Sequence, residues 1–224
     1  MSRWAPSSSS AADPHDDHDA SARDFIILIQ DYTDNSTYPT EIAHCLDHNP
    51  RLLACRGAYG TNPLHHAQIR SVAELLHNAN PSWIDTKHET GNLPIHTVMR
   101  SASLSVVEFL VHLRPLHLHA RGREGRTPLH WACGNLRHEI VKYLVTQDST
   151  TLDALDDGGK TALHIVAASR NPREDATVAL AQWILQERPN MRQVKDQKGE
   201  TPLDVARRRD KSKLAALLQG GPNG

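Results

Sequence analysis

Fifteen histidines stand in a chain of 224 residues, and metal ligation or proton transfer is the chemistry they first suggest. A structural or catalytic zinc needs three or four ligands drawn from His, Cys and carboxylates at short, defined spacings. His44 and His48 lie four apart, which puts both on one helical face, and His15 with His18 and His112 with His117 and His119 form two more groups. No acid or cysteine spacing completes a tetrahedral set around any of them, so a polar helix face is the better account. His65, His96, His130 and His164 each fill the same place in a recurring pattern and are read as structural. Cys45, Cys55 and Cys133 make no CxxC pair and are odd in number, against a disulfide framework or a thiolate zinc site and in keeping with a reducing compartment.

Covalent catalysis finds no better footing. The chain has no Gly-x-Ser-x-Gly elbow, no phosphate-cradling glycine loop ending in Lys-Ser/Thr and no His-Glu-x-x-His. The pairs Gly57 with Gly60 and Gly122 with Gly125 are explained by turns. The expectation is a chain without catalysis of its own, without cofactor and without metal. Net charge is −1, from 25 basic and 26 acidic residues, so no global field draws nucleic acid or an anionic membrane. The longest apolar run, Phe25 to Ile29, is far short of the ~20 residues that cross a bilayer.

The elements that carry these residues recur. Asn62-Pro-Leu-His65, Leu93-Pro-Ile-His96, Thr127-Pro-Leu-His130, Thr161-Ala-Leu-His164 and Thr201-Pro-Leu-Asp204 follow one another at spacings of 31, 34, 34 and 40. A period near 33 belongs to stacked helical repeats. A proline stands ten residues before the turn glycine four times, from Pro50 to Gly60, Pro81 to Gly91, Pro115 to Gly125 and Pro189 to Gly199, and Ser149 holds that place before Gly159. Connectors of constant length therefore project at every junction, while the helical part varies. Each repeat then supplies a second apolar stretch, as in Val106-Val107-x-Phe109-Leu110 and Ile140-Val141-x-Tyr143-Leu144. Repeat five has about six extra residues around Asn171 to Ala176, between its helices.

Composition supports thin layers over a deep core: aromatics are 4% and hydrophobic residues 38%. The helix start has a local explanation. Thr127 is a helix N-cap, and Pro128 at the first helical position lacks only a donor that would be unpaired there anyway. Gly125 permits the tight turn before the cap. Leu129, Ala132, Cys133 and Leu136 then fall on one face, with small residues where neighbouring helices approach.

These residues resemble the ankyrin repeat, whose pattern is D-x-x-G-x-T-P-L-H-x-A-A followed by a helix with I-V-x-x-L-L. The resemblance runs from about Asp24 to Gln219. It implies an all-α ankyrin-repeat solenoid of stacked helix-turn-helix units with projecting β-hairpin or loop fingers. The repeats fall at approximately 23–57, 58–88, 89–122, 123–156, 157–196 and 197–220, the first a degenerate cap, within a domain of 23–220. An acidic, Ser-rich tail at 1–22 is read as disordered, and 221–224 as a flexible end. Motif residues His65, His96, Thr127, Pro128, His130, Thr161, His164 and Thr201 carry the repeat. Repeats two and three, starting at Asn62 and Leu93 without the Thr cap, should be the irregular ones. In repeat four Leu136 and Arg137 stand at the family's Gly-His place, and Asn135 is expected to supply the left-handed turn.

The resemblance also implies protein recognition on a concave face made by first helices and fingers. Trp131 follows the motif histidine at a position the family leaves variable and exposes there; His66, Thr97, Ile165 and Val205 are its counterparts. The expected site is Trp131 as anchor, Ile165, Val205 and His66 beside it, Arg121, Arg123 and Arg126 as a finger rim, and Tyr59 at another fingertip. The expected partner is a protein or peptide, with no membrane and no nucleic acid, bound by a monomer in the cytoplasm or the nucleus. The competing reading is a nuclear or nucleic-acid-associated regulator acting through Arg207-Arg208-Arg209-Asp-Lys211-Ser-Lys213.

Overall fold

A computed structural model describes residues 24–29, 38–172 and 174–220. The expected tail at 1–22 and the end at 221–224 lie outside the described residues. Helices α1 (24–29) and α2 (Tyr38–His48) form the degenerate first pair. A short 3-10 turn, Pro63–His66, precedes α3 (Arg70–Ala79), and then come the pairs α4 (Pro94–Val98) with α5 (Leu104–Leu113) and α6 (Pro128–Gly134) with α7 (His138–Gln147). The last two pairs are α8 (Ala162–Ala168) with α9 (Glu174–Glu187), and α10 (Pro202–Arg208) with α11 (Ser212–Gln219).

Two layers result. First helices pack on first helices, α4 on α6, α6 on α8 and α8 on α10, while α3 packs on α5, α5 on α7 and α9 on α11 behind them. Close approach in the first layer needs small side chains, and Ala132, Cys133, Ala167 and Ala206 are fully enclosed there. The second helices bring larger aliphatics, among them Leu110, Val141, Leu144 and Leu180, all without solvent exposure. Trp83 is 1% exposed; Trp183 is part-buried against the same core. The irregular repeats are the expected ones: repeat two has too few residues for an α-helical first element and makes the 3-10 turn, and α4 has five residues against seven in α6, α8 and α10. The extra length of repeat five is shared between a connector over 169–172 and a helix α9 of fourteen residues.

The fingers are loops, and no strand occurs among the described residues. Each is a five-residue turn whose first N–H donates to the carbonyl of its fifth residue: Gly57 to Thr61 (2.7 Å), His88 to Asn92 (3.0 Å), Gly122 to Arg126 (2.9 Å), Asp156 to Lys160 (3.0 Å) and Asp196 to Glu200 (2.9 Å). Neighbouring tips are tied once each where Glu89 N–H reaches Tyr59 O, Asp157 N–H reaches Glu124 O and Gln197 N–H reaches Gly158 O. One backbone bond per junction is too little for a ladder. Tyr59 (φ 60°) and Glu124 (φ 58°) precede Gly60 and Gly125 in left-handed pairs of the primed-turn type.

The left-handed residue between α6 and α7 is Leu136 (φ 53°), which corrects the expectation of Asn135 (φ −96°). Asn135 is held one step earlier because its Nδ2 donates to the Trp131 carbonyl at 2.8 Å. Leu136 tolerates the strain because its side chain is buried, 9% exposed. Asp210 (φ 55°) takes the same place between α10 and α11, with its side chain exposed. The two sites therefore answer a glycine with opposite signs. Asp210→Gly is expected to stabilise by about 0.5–1 kcal/mol through strain relief, whereas Leu136→Gly loses a buried side chain and costs about 1 kcal/mol net; urea midpoints measure both.

Candidate recognition surface

The motif histidines clamp one repeat to the next. In each, Nδ1 accepts from the N-cap amide of its own helix: Asn62 (3.2 Å), Leu93 (3.1 Å), Thr127 (3.2 Å) and Thr161 (3.2 Å). On the far side of the ring, Nε2–H donates to a carbonyl of the following finger: Asn92 (3.2 Å), Ala120 (2.9 Å), Lys160 (3.2 Å) and Glu200 (3.0 Å) for His65, His96, His130 and His164. Those bonds require a neutral ring protonated at Nε2, since an acceptor is needed at one nitrogen and a donor at the other. Burial agrees, lowering His65 to about 3 and His96 to about 4 and displacing His130 and His164 in the same direction. Asp204 makes only the inner half of this clamp, its Oδ2 accepting from Thr201 N–H at 2.9 Å and Oγ1–H at 2.6 Å. A carboxylate has no proton to hand onward.

Trp131 is part-buried, and its indole N–H, itself enclosed, has no acceptor among the described residues. Thr97 donates from Oγ1 to the carbonyls of His65 and Pro94, both at 2.9 Å. His66 is part-buried, its Nε2 2.8 Å from Thr61 Oγ1. Ile165 and Val205 depart from expectation: they are 6% and 1% exposed. Helix α8 lies so close on α6 that a Cβ at Gly134 would stand 3.4 Å from Ile165 Cγ2, and α10 packs as tightly on α8. Both residues belong to the core, and the apolar setting expected around Trp131 is absent.

The finger arginines are drawn into ion pairs. Arg121 Nη2 stands 3.0 Å from Asp157 and its Nη1 donates to Leu155 O at 2.9 Å; Arg126 reaches Glu124 at 2.8 Å and Asp156 at 3.6 Å; Arg123 lies 3.6 Å from Glu124. The rim is therefore mixed in charge. The Arg121–Asp157 and Arg123–Glu124 pairs are exposed and hold together weakly, by under about 1 kcal/mol, so their guanidinium groups can exchange partners, whereas the Asp156 partner of Arg126 is buried. Tyr59 is 69% exposed at its tip. Leu155, 43% exposed beneath the next finger, is a surface residue that the sequence reading passed over. The signal was there: Arg56, Lys87, Arg121 and Lys195 precede the other four fingers.

The basic segment of the competing reading is dispersed by the fold. Arg208 pairs with Glu200 at 3.0 Å, Lys213 with Asp175 at 2.7 Å, and Lys211 is buried. His44 and His48 stack on each other with ring centres 3.8 Å apart, and among the described residues no group of three or more His, Cys, Asp or Glu could hold a metal ion. His117 and His119 are bound instead to Asp85 (3.1 Å) and Asp148 (2.9 Å). Burial raises the Cys55 thiol to about 11 and pushes Cys133 up as well, which keeps both protonated and poor nucleophiles.

Residues 64–156 and 113–182, together more than half of the chain, match the family model described as ankyrin repeats (3 copies). No curated protein matches the chain. Among the described residues no helix is long and apolar enough to cross a membrane.

Proposed function

The chain belongs to the ankyrin-repeat proteins, and from that premise we propose that it is a non-catalytic module that holds a partner protein or peptide on the concave face of its stack. Ankyrin repeats mediate protein–protein interaction. The observation that supports the proposal is Trp131, a large aromatic left part-exposed in α6 directly after the motif histidine. Tryptophan and arginine are the residue types enriched at interface hot spots. With Ile165 and Val205 enclosed, the contact residues reduce to Trp131, His66, Thr97 and the finger residues Arg121, Arg123 and Arg126, with Tyr59 and Leu155 at the rim. A monomer in the cytoplasm, or in the nucleus, is the form proposed.

Trp131→Ala with Arg123→Ala is expected to weaken partner binding at least about a hundredfold, the loss of one hot-spot anchor and one rim cation. Affinity capture from lysate with the wild type beside this double variant tests it, with equal helicity established by circular dichroism. Recovery of the same proteins at the same yield by both would move the recognition surface off the concave face.

A further inference from the structure

The connector within repeat five helps line a recess. Residues 169–172 leave α8 and turn beside the junction of α10 and α11, and between the two segments lies an open recess of about 380 Å³. Its charged and polar lining is Ser169, Arg170, Asn171, Glu174, Arg209, Asp210 and Lys211.

Lys211 forms the floor. It is 8% exposed, and its ammonium donates to Ser169 Oγ at 2.7 Å and, at 3.4 Å, to Val166 O. Both acceptors are neutral. An ammonium has three protons to give, and a buried cation without a directly bound carboxylate is costly unless an anion reaches it. Burial accordingly pushes the Lys211 pKa down. The comparable residue before α7, Arg137, also reaches back to carbonyls of the preceding repeat, those of Arg100 and Ala102. A structural tie thus explains where Lys211 points, but not the two further cations gathered with it. Arg170 and Arg209 are exposed at the rim, and no carboxylate within salt-bridge distance of either is found among the described residues. Of the two acids in the lining, Glu174 is engaged: its Oε1 accepts from the amides of Lys213 (2.7 Å) and Leu214 (3.2 Å) at the start of α11. Its charge still acts on Lys211, so with Asp210 two carboxylates oppose the three cations and the recess keeps a net positive charge.

We propose that this recess is an anion site for a phosphate monoester, gripped by the Arg170 and Arg209 guanidinium groups at the rim and completed by the Lys211 ammonium below. Two forks and a point charge suit the three terminal oxygens of that group. The site is separate from the Trp131 surface, so its failure would leave the proposed protein-binding role standing.

The test is calorimetric titration of the full chain with inorganic phosphate and with N-acetyl-O-phosphoserine amide, against N-acetyl-serine amide at matched ionic strength. Saturable 1:1 binding of the phosphorylated probes is expected. It should weaken at least about tenfold in Arg170→Ala/Arg209→Ala, stay unchanged in Arg207→Ala, whose exposed guanidinium lies outside the recess, and tighten in Asp210→Asn. Preference for the phosphoserine probe would place the group on a protein segment, equal affinity on a free phosphate, and both support the site. Binding that does not saturate, or that Arg170→Ala/Arg209→Ala leaves as it was while circular dichroism shows the fold intact, overturns it.

Discussion

Lowering the pH from 7 to about 4.5 is expected to unfold the repeat stack cooperatively, while most of its carboxylates are still ionised. The cause is the histidine clamp. His65 and His96 have folded-state pKa values near 3 and 4, below the 6.5 of an unperturbed ring. A group whose folded pKa is depressed binds more protons when unfolded, so its contribution to stability falls as pH drops below 6.5 and goes on falling to the folded value. At pH 5 each such ring costs about 2 kcal/mol. His65 and His96 together then cost about 4 kcal/mol, close to the lower end of the about 5–15 kcal/mol of total stability that a domain has, and His130 and His164 are displaced in the same sense by the same burial. Protonation at Nδ1 also turns an acceptor into a donor facing an amide N–H, so the folded state has no cheap way to take the proton. Urea midpoints at pH 7, 6 and 5, followed by circular dichroism at 222 nm, measure the effect. A midpoint that does not move between pH 7 and 5 would contradict the neutral Nε2–H form in all four clamps.

How far the sequence could be read depended on the range of the physics behind each feature. The helix starts were legible because Thr127, Pro128 and His130 act within a single turn and the same solution recurs at fixed spacing. The choice of Asn135 for the left-handed turn failed for the complementary reason. Local propensity favours Asn, but the Asn135 side chain is occupied with the Trp131 carbonyl, and burial of Leu136 compensates a conformation that a branched apolar residue ordinarily avoids. Ile165 and Val205 were given the right column and the wrong depth. Whether a residue in that column is enclosed depends on the space its neighbours leave, and Gly134 opposite Ile165 leaves little. The recess at Lys211 lay beyond reach, since Arg170 and Arg209 stand 39 positions apart and only the stacking of α8, α10 and α11 brings them together.

Removing one clamp should cost more than removing any exposed ion pair in the molecule. In His130→Ala the Thr127 amide and the Lys160 carbonyl each lose a partner, and a ring that is 1% exposed leaves a void between repeats four and five. An unsatisfied buried polar group costs about 1–3 kcal/mol, and the void adds to it, so the expected loss is about 3–5 kcal/mol. Asp204→Ala offers the internal comparison, since Asp204 performs only the capping half of the role and is less enclosed. It should cost about 1 kcal/mol, the value of one helix cap. The difference between the two variants in urea then isolates the bond from Nε2–H to the following finger together with the buried volume. In a stack where each unit contacts only its neighbours, breaking one junction also loosens cooperativity. His130→Ala is therefore expected to lower the steepness of the unfolding transition as well as its midpoint, while Asp204→Ala, at the last described repeat, shifts the midpoint alone. If both variants lose the same stability with unchanged steepness, the histidines act as caps and the repeats are coupled by their aliphatic layers instead.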